Sequence, residues 1–185
     1  MRTLFILVAL GAAATSMGEA QTLRPAGLDP GQRAIEIALP DGGGTDVGLW
    51  WVKSPRTQVG LTGTVSYNSS EAGTGESQNS WTVLIGPGIR RAVAVSLPIV
   101  PFWRADAQFG VGGGSGTTPD LILLSASAGF GADWFPFERI SIGGHMGLRT
   151  SYVRQTSDIP AGGSSTQSSV NVGTFRSGLT LRLFF

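Results

Sequence analysis

From Arg33 to Phe185 apolar residues recur at every second position rather than at helical spacing, so side chains alternate between two faces of successive strands. The first run sets Ile35, Ile37 and Leu39 against Ala34, Glu36 and Ala38, and stops at Pro40-Asp41-Gly42-Gly43-Gly44. The second alternates Val47, Leu49 and Trp51 with Asp46, Gly48 and Trp50, and the third Val59, Leu61, Val65 and Tyr67 with Gln58, Thr62, Thr64 and Ser66. A fourth places Trp81, Val83, Ile85 and Ile89 opposite Thr82, Gly86, Gly88 and Arg90. In the fifth, Trp103, Ala105, Ala107, Phe109 and Val111 oppose Arg104, Asp106, Gln108 and Gly110. The sixth carries Ile122, Leu124, Ala126, Ala128, Phe130 and Trp134 against Ser125, Ser127, Gly129 and Asp133. The seventh sets Ile140, Ile142, Met146, Leu148 and Tyr152 against Ser141, Gly143, His145, Gly147 and Arg149. The eighth sets Phe175, Leu179, Leu181, Leu183 and Phe185 against Arg176, Gly178, Thr180 and Arg182.

Two positions break the pattern. Val170 and Val172 fall on the opposite parity from Phe175, which predicts a bulge near Gly173 or a stretch beyond the buried band. Pro87 has no N–H to give to a ladder, so an irregularity is expected there too. The connections alternate in character. Short turns lie on the rim that holds both termini, Arg91 to Val100 being the longest, and polar Gly/Ser-rich loops lie on the other. Those loops are read as Pro40 to Thr45, Asn68 to Asn79, Gly112 to Pro119 and Gln155 to Ser169.

Before the strands, Met1 and Arg2 precede an apolar stretch from Leu4 to Ala14 and the small-residue site Gly18-Glu19-Ala20, the layout of a secretory signal peptide over residues 1–20. The apolar stretch is shorter than the roughly 20 residues a membrane helix needs. Residues 21–32, with Pro25 and Pro30, read as an irregular periplasmic lead-in, and 33–185 as one barrel domain.

Composition narrows the chemistry. Charged residues make up 14% of the 185-residue chain, against about 25% in an ordinary soluble domain, so the surface is not that of a typical cytosolic protein. A net charge of +1 gives no reason to expect nucleic acid as a partner. The absence of Cys and the presence of one His rule out disulfides, thiolate sites and multi-His clusters, so no metal site or cofactor is expected.

Alternation alone leaves open which face is outside. A lipocalin-like soluble barrel buries the apolar face, whereas a membrane barrel turns it to lipid. Four features favour lipid. The apolar strips carry no charge, while the opposite face carries Glu36, Asp46, Arg90, Arg104, Asp106, Asp133, Arg149, Arg176 and Arg182 among Gly, Ser and Thr. Threading the strands up and down puts Trp51, Trp103, Trp134, Phe137 and Phe185 at one rim, and Tyr67, Trp81 and Tyr152 at the other, as two aromatic girdles. The alternation of short turns and longer loops is the third feature. The fourth is length, since eight strands of roughly 10 residues fit within the chain after Ala20, and only a closed sheet leaves no unpaired backbone in hydrocarbon.

With these features the chain resembles the small eight-stranded outer-membrane barrels of the OmpA/OmpX type. Its end, Arg176, Gly178, Leu181 and Leu183 followed by Phe184-Phe185, resembles the terminal signal that the barrel-assembly machinery reads in that class. The resemblance implies an all-β, eight-stranded antiparallel up-and-down transmembrane barrel in a Gram-negative-type outer membrane. It also implies periplasmic termini, with outer-membrane lipid and the assembly machinery as partners, and the end of the sequence at Phe185 leads us to expect no OmpA-like peptidoglycan-binding module.

An eight-stranded barrel has room inside only for side chains, so the inward acids are expected to pair with the inward arginines as a structural plug rather than line a channel. Some similar small barrels modify lipid A with a His, but His145 falls inward near mid-strand with Ser141 and Arg149, which favours an interior hydrogen-bonding role. Gly110-Val111-Gly112-Gly113-Gly114 joins two strands with no helix following, so it reads as a hairpin loop and not a phosphate cradle. Asn68-Ser69-Ser70 matches a glycosylation acceptor by composition only, and Glu71, Glu76 and Asp158 read as solvated loop acids. The expected role is structural or surface-interacting through the outer loops and non-enzymatic, with narrow solute transport and a lipid-modifying enzyme as alternatives. If Leu181 faces lipid near the bilayer midplane, Leu181→Arg will cost about 2 to 4 kcal/mol in denaturant unfolding from vesicles.

Overall fold

The runs of Val, Ile, Leu and aromatic residues, cut by Gly and Pro, form eight antiparallel strands in a computed structural model. It describes residues 25–185 apart from 41–43, 72–76, 96–97, 115–116 and 160–162, and the backbone alone at 26, 70–71, 77–78, 117–120, 156–159, 163–165 and 174–176. The expected signal peptide and the first lead-in residues lie outside the described residues. The strands are β1 (Arg33–Pro40), β2 (Thr45–Ser54), β3 (Thr57–Glu71), β4 (Ser77–Ala92), β5 (Ile99–Gly114), β6 (Thr117–Phe137), β7 (Ile140–Ile159) and β8 (Gly163–Phe184). Each pairs with its chain neighbour, and β8 returns to β1 to close the barrel. The closing seam runs from Ala34 opposite Phe184 to Pro40 opposite Gly178.

Parity places the side chains as the alternation predicts. Leu39, Phe109, Phe130 and Leu179 face outward at 61 to 68% exposure, whereas Glu36 and Arg182 face inward at 2% and 0%. This departs from a soluble protein: the exposed wall is apolar, and among the described residues twelve polar or charged side chains are buried beside ten apolar ones. The girdle residues Tyr67, Trp81, Trp103, Trp134, Phe137, Tyr152 and Phe185 are all exposed on the outer wall, with Trp51 half-buried beside them.

Both sequence misfits have structural counterparts. The β7–β8 ladder shifts register between Gly147 and Arg149, opposite the segment from Gly173 to Arg176. Past that shift Val170 and Val172 point outward, at 69% and 68% exposure. At Pro87 the β4–β5 ladder skips from Ile85 to Gly88 without losing register, because a residue with no N–H leaves a gap rather than a slip.

Three of the expected outer loops are shorter than read. Asn68 to Asn79, Gly112 to Pro119 and Gln155 to Ser169 are largely strand, since β3 runs to Glu71, β4 starts at Ser77, β5 and β6 leave only 115–116 between them, and β7 and β8 leave only 160–162. Ser, Thr, Asn and Gln pair through backbone as other residues do. Where neither face is buried in apolar surroundings, period-two hydrophobicity disappears although the ladder continues. Strands lengthen from 8 residues in β1 to 22 in β8, so the barrel wall is low at the β1–β2 hairpin and tall at β6 to β8.

The described part of the lead-in is packed as a stopper, with a short 3₁₀ turn (Ala26–Leu28) whose Leu28 is 1% exposed. Leu28 joins Ala34, Trp50, Val52, Ala92, Val100 and Phe184 in an apolar cluster inside the terminus end, with Val95 and Phe135 packed on it. Gly27 N–H donates to the Glu138 carbonyl and Gly31 N–H to that of Val52, both at 2.9 Å, tying the segment across the mouth. A Cβ on Gly27 would lie 2.7 Å from the Phe184 ring, so glycine is what allows this approach. Leu28→Ala is expected to destabilise the folded barrel by about 2 to 5 kcal/mol, read as a lower urea midpoint in detergent micelles.

Candidate functional site in the barrel interior

Above the apolar floor lies a layer of charge. Glu36 on β1 stands directly across the seam from Arg182 on β8. Its carboxylate also accepts from Arg90 Nη1 at 3.2 Å and Arg104 Nη1 at 3.0 Å. Arg182 Nε lies 3.3 Å from Glu36 Oε2 but is not aligned as a hydrogen bond. Asp133 on β6 is the second anion, accepting from Arg90 Nη2 and from Arg182 Nη1, the latter at 3.3 Å. Arg182 Nη2 donates to Gln58 Oε1. Two carboxylates and three guanidiniums thus bridge β1, β4, β5, β6 and β8, all of them buried.

The floor and the charged layer interlock. The Arg90 guanidinium sits 3.3 Å over the Phe102 ring, and that of Arg182 lies 4.7 Å from the Phe184 centroid. Trp50 is fully buried, and Arg104 and Arg182 approach its indole at 5.7 and 5.9 Å. Its room comes from glycine: a Cβ on Gly60 would meet the indole at 2.8 Å and one on Gly88 at 3.0 Å.

The remaining inward charges lie toward the loop end and are held mainly by hydroxyls. Asp106 accepts from Ser127 Oγ at 2.7 Å and lies 3.6 Å from Arg104. Asp46 accepts from Thr64 Oγ1 at 2.7 Å. Arg149 Nε donates to Ser125 Oγ at 2.8 Å rather than to a carboxylate in any described contact. Arg176 pairs with Gly147 in the ladder, and its side chain lies outside the described residues. Above the plug a polar cup of about 350 Å³ is lined by Thr64, Ser66, Asn68, Thr82, Ser125, Arg149 and Ser151, with Leu84 and Leu123.

His145 is half-buried, and a Cβ on the facing Gly178 would lie 3.3 Å from its Cε1. Its Nδ1 has no hydrogen-bond partner, nor does Ser141 Oγ. The two residues stand four apart on β7, about 13 Å at the rise of a strand, too far for a base to take a proton from a nucleophile. On the outer wall an apolar hollow of about 650 Å³ lies over this region, bounded by Leu39, Phe130, Met146 and Leu179.

Of the four residues that the sequence likened to an assembly signal, Leu181, Leu183 and Phe185 face outward, and Gly178 closes the seam opposite Pro40. Sequence reasoning missed the interior roles of Trp50, Val52, Val100, Phe102 and Phe184. Their inward parity was the available signal, masked because they are as apolar as the outward strips.

No family model and no curated protein matches this chain. It is similar to the crystal structure of a major outer membrane protein from Thermus thermophilus, at 14% identity and a TM-score of 0.45, over 83% of this chain and 99% of that one.

Removing the central anion leaves three buried arginines short of a counter-charge. Glu36→Gln is expected to cost about 3 to 5 kcal/mol. Adding Arg104→Gln should recover part of that loss in a double-mutant cycle of unfolding free energies.

Proposed function

We propose that this protein is an integral outer-membrane barrel with a closed lumen, whose role is structural or surface-interacting and is carried at the loop end. The observation that carries the reading is the inversion of its two faces: a charge-free apolar wall ringed by aromatic residues, around an interior of buried ion pairs. Such a wall is incompatible with water as the surrounding solvent, since a soluble monomer rarely leaves contiguous apolar area of this extent exposed. Hydrocarbon accepts it, because the sheet closes on itself, every strand having two neighbours where β1 and β8 pair from Ala34–Phe184 to Pro40–Gly178.

The lumen supports a sealed barrel over a conduit. A solute would have to pass the Leu28 stopper, the Trp50 and Phe102 floor, and a layer in which two carboxylates hold three arginines. The separation of His145 from Ser141 supports a non-enzymatic role. The tall β6 to β8 wall, which runs on past Tyr152 opposite Val170 to Ile159 opposite Gly163 while β1 ends at Pro40 opposite Gly178, supplies backbone groups for contact with a surface partner.

The full chain, folded into phosphatidylcholine vesicles, should show heat-dependent mobility on a denaturing gel. In planar bilayers it should give no resolved conductance steps. Recovery as a soluble protein without detergent would overturn the membrane reading, and steady unitary currents would overturn the sealed lumen.

A further inference from the structure

The charges of this chain are sorted by height along the barrel. At the terminus rim Arg33, Lys53, Arg56, Arg91 and Arg139 are all exposed, and the acidic side chains among the described residues there are Asp29 and Glu138. Within the barrel strands Glu36, Asp46, Asp106 and Asp133 stand against Arg90, Arg104, Arg149, Arg176 and Arg182. Toward the loop rim the strand ends carry Glu71, Asp120 and Asp158, with Arg154 as the single cation among the described residues there. A chain of net charge +1 is therefore strongly dipolar.

The rim cations are also placed by register beside the aromatic girdle. Arg33 pairs across the β1–β2 ladder with Trp51, and Arg91 across β4–β5 with Trp103. Lys53 lies two residues beyond Trp51 on the same outward face, and Arg139 turns the chain just past Phe137. Tryptophan settles at the boundary of hydrocarbon and headgroups. Long basic side chains at that depth lay their stems on the apolar wall and carry the charge outward to the level of lipid phosphates.

We infer that the terminus rim is a binding belt for anionic phospholipid headgroups, built chiefly from Arg33, Lys53 and Arg91 beside Trp51 and Trp103. The inference rests on the membrane reading and deepens it by naming the lipid. Attraction of basic residues to an anionic bilayer surface is cumulative, so several cations on one rim enrich acidic lipid around that rim. The acidic loop end provides no such attraction. The belt thus selects lipid in one leaflet only, and in doing so holds the barrel's height and direction.

The test uses quenching of the girdle tryptophans in the full-length barrel, folded into mixed vesicles of phosphatidylcholine and phosphatidylglycerol in which one lipid at a time is brominated. At equal mole fraction, brominated phosphatidylglycerol should quench at least about twofold more than brominated phosphatidylcholine. The preference should fall in about 1 M salt, where screening is strong. It should vanish in Arg33→Gln/Lys53→Gln/Arg91→Gln, fall partly in Arg33→Gln or Arg91→Gln alone, and persist in Arg154→Gln and in the presence of free glycerol phosphate. Heat-dependent mobility reports whether each variant is folded. Equal quenching by both lipids in a folded barrel, or a folded triple variant that keeps the preference, overturns the inference alone. Failure of the unaltered chain to fold into vesicles of either composition overturns the membrane reading and the inference with it.

Discussion

Closure of the sheet between β1 and β8 is the constraint on which the rest of the structure depends. β1 is the shortest strand, yet it must satisfy β8 on one side and β2 on the other. Backbone pairing alone makes a short seam easy to open. Here the seam is fastened from within, because Glu36 faces Arg182 across it and draws in Arg90 and Arg104 from the opposite wall. It is fastened again below, where Arg33 and Phe185 exchange N–H···O bonds at 2.9 Å and the Leu28 turn packs on Phe184. Opening the seam would therefore expose carboxylate and guanidinium groups whose partners lie on other strands, a cost added to that of the ladder bonds lost.

The same closure dictates where each kind of residue goes. With eight strands the interior holds side chains and little else, so inward positions must fill volume and satisfy polarity together. Large residues at the terminus end fill it: Trp50 occupies space vacated by Gly60 and Gly88, and Phe102 backs the Arg90 guanidinium. Arginine suits the next layer because its planar fork donates to two carboxylates while its face rests on an aromatic ring, as Arg90 does with Glu36, Asp133 and Phe102. Hydroxyls and amides above that layer, such as Thr62, Thr64 and Gln108, pass hydrogen bonds among themselves and hand over to the polar cup.

Much of this arrangement was legible in the sequence, and the reason is geometric. A two-residue period assigns every strand residue to one wall, so the outward strips and the inward charges could be separated without knowing which strands touch. Pairing partners could not. Arg90 and Glu36 are 54 residues apart and Arg104 and Glu36 are 68 apart, and only the register of the whole barrel brings them to one height. The same limit hid Asp46 with Thr64 and Arg149 with Ser125, which parity grouped with the ion pairs but register places nearer the loop end. The docked lead-in was hidden for another reason: Gly27 and Leu28 gain their roles from Glu138 and Phe184, and a segment ordered by distant contacts carries no period of its own.

An interior filled by paired charges and packed side chains leaves the two rims to meet other molecules. Interior charges are consumed in holding the seam, so the residues free to meet other molecules are those that parity or height places outside that knot. At the terminus end these are cations beside tryptophan, suited to acidic headgroups; at the loop end they are paired polar arms with an acidic sequence. The two ends could not trade roles. Arg33 and Arg91 owe their outward aim to the same alternation that turns Glu36 and Arg90 inward, and a one-residue slip in register would bury the rim cations while exposing the knot. The placing of cations at the rim and closure at the seam are thus two readings of one register.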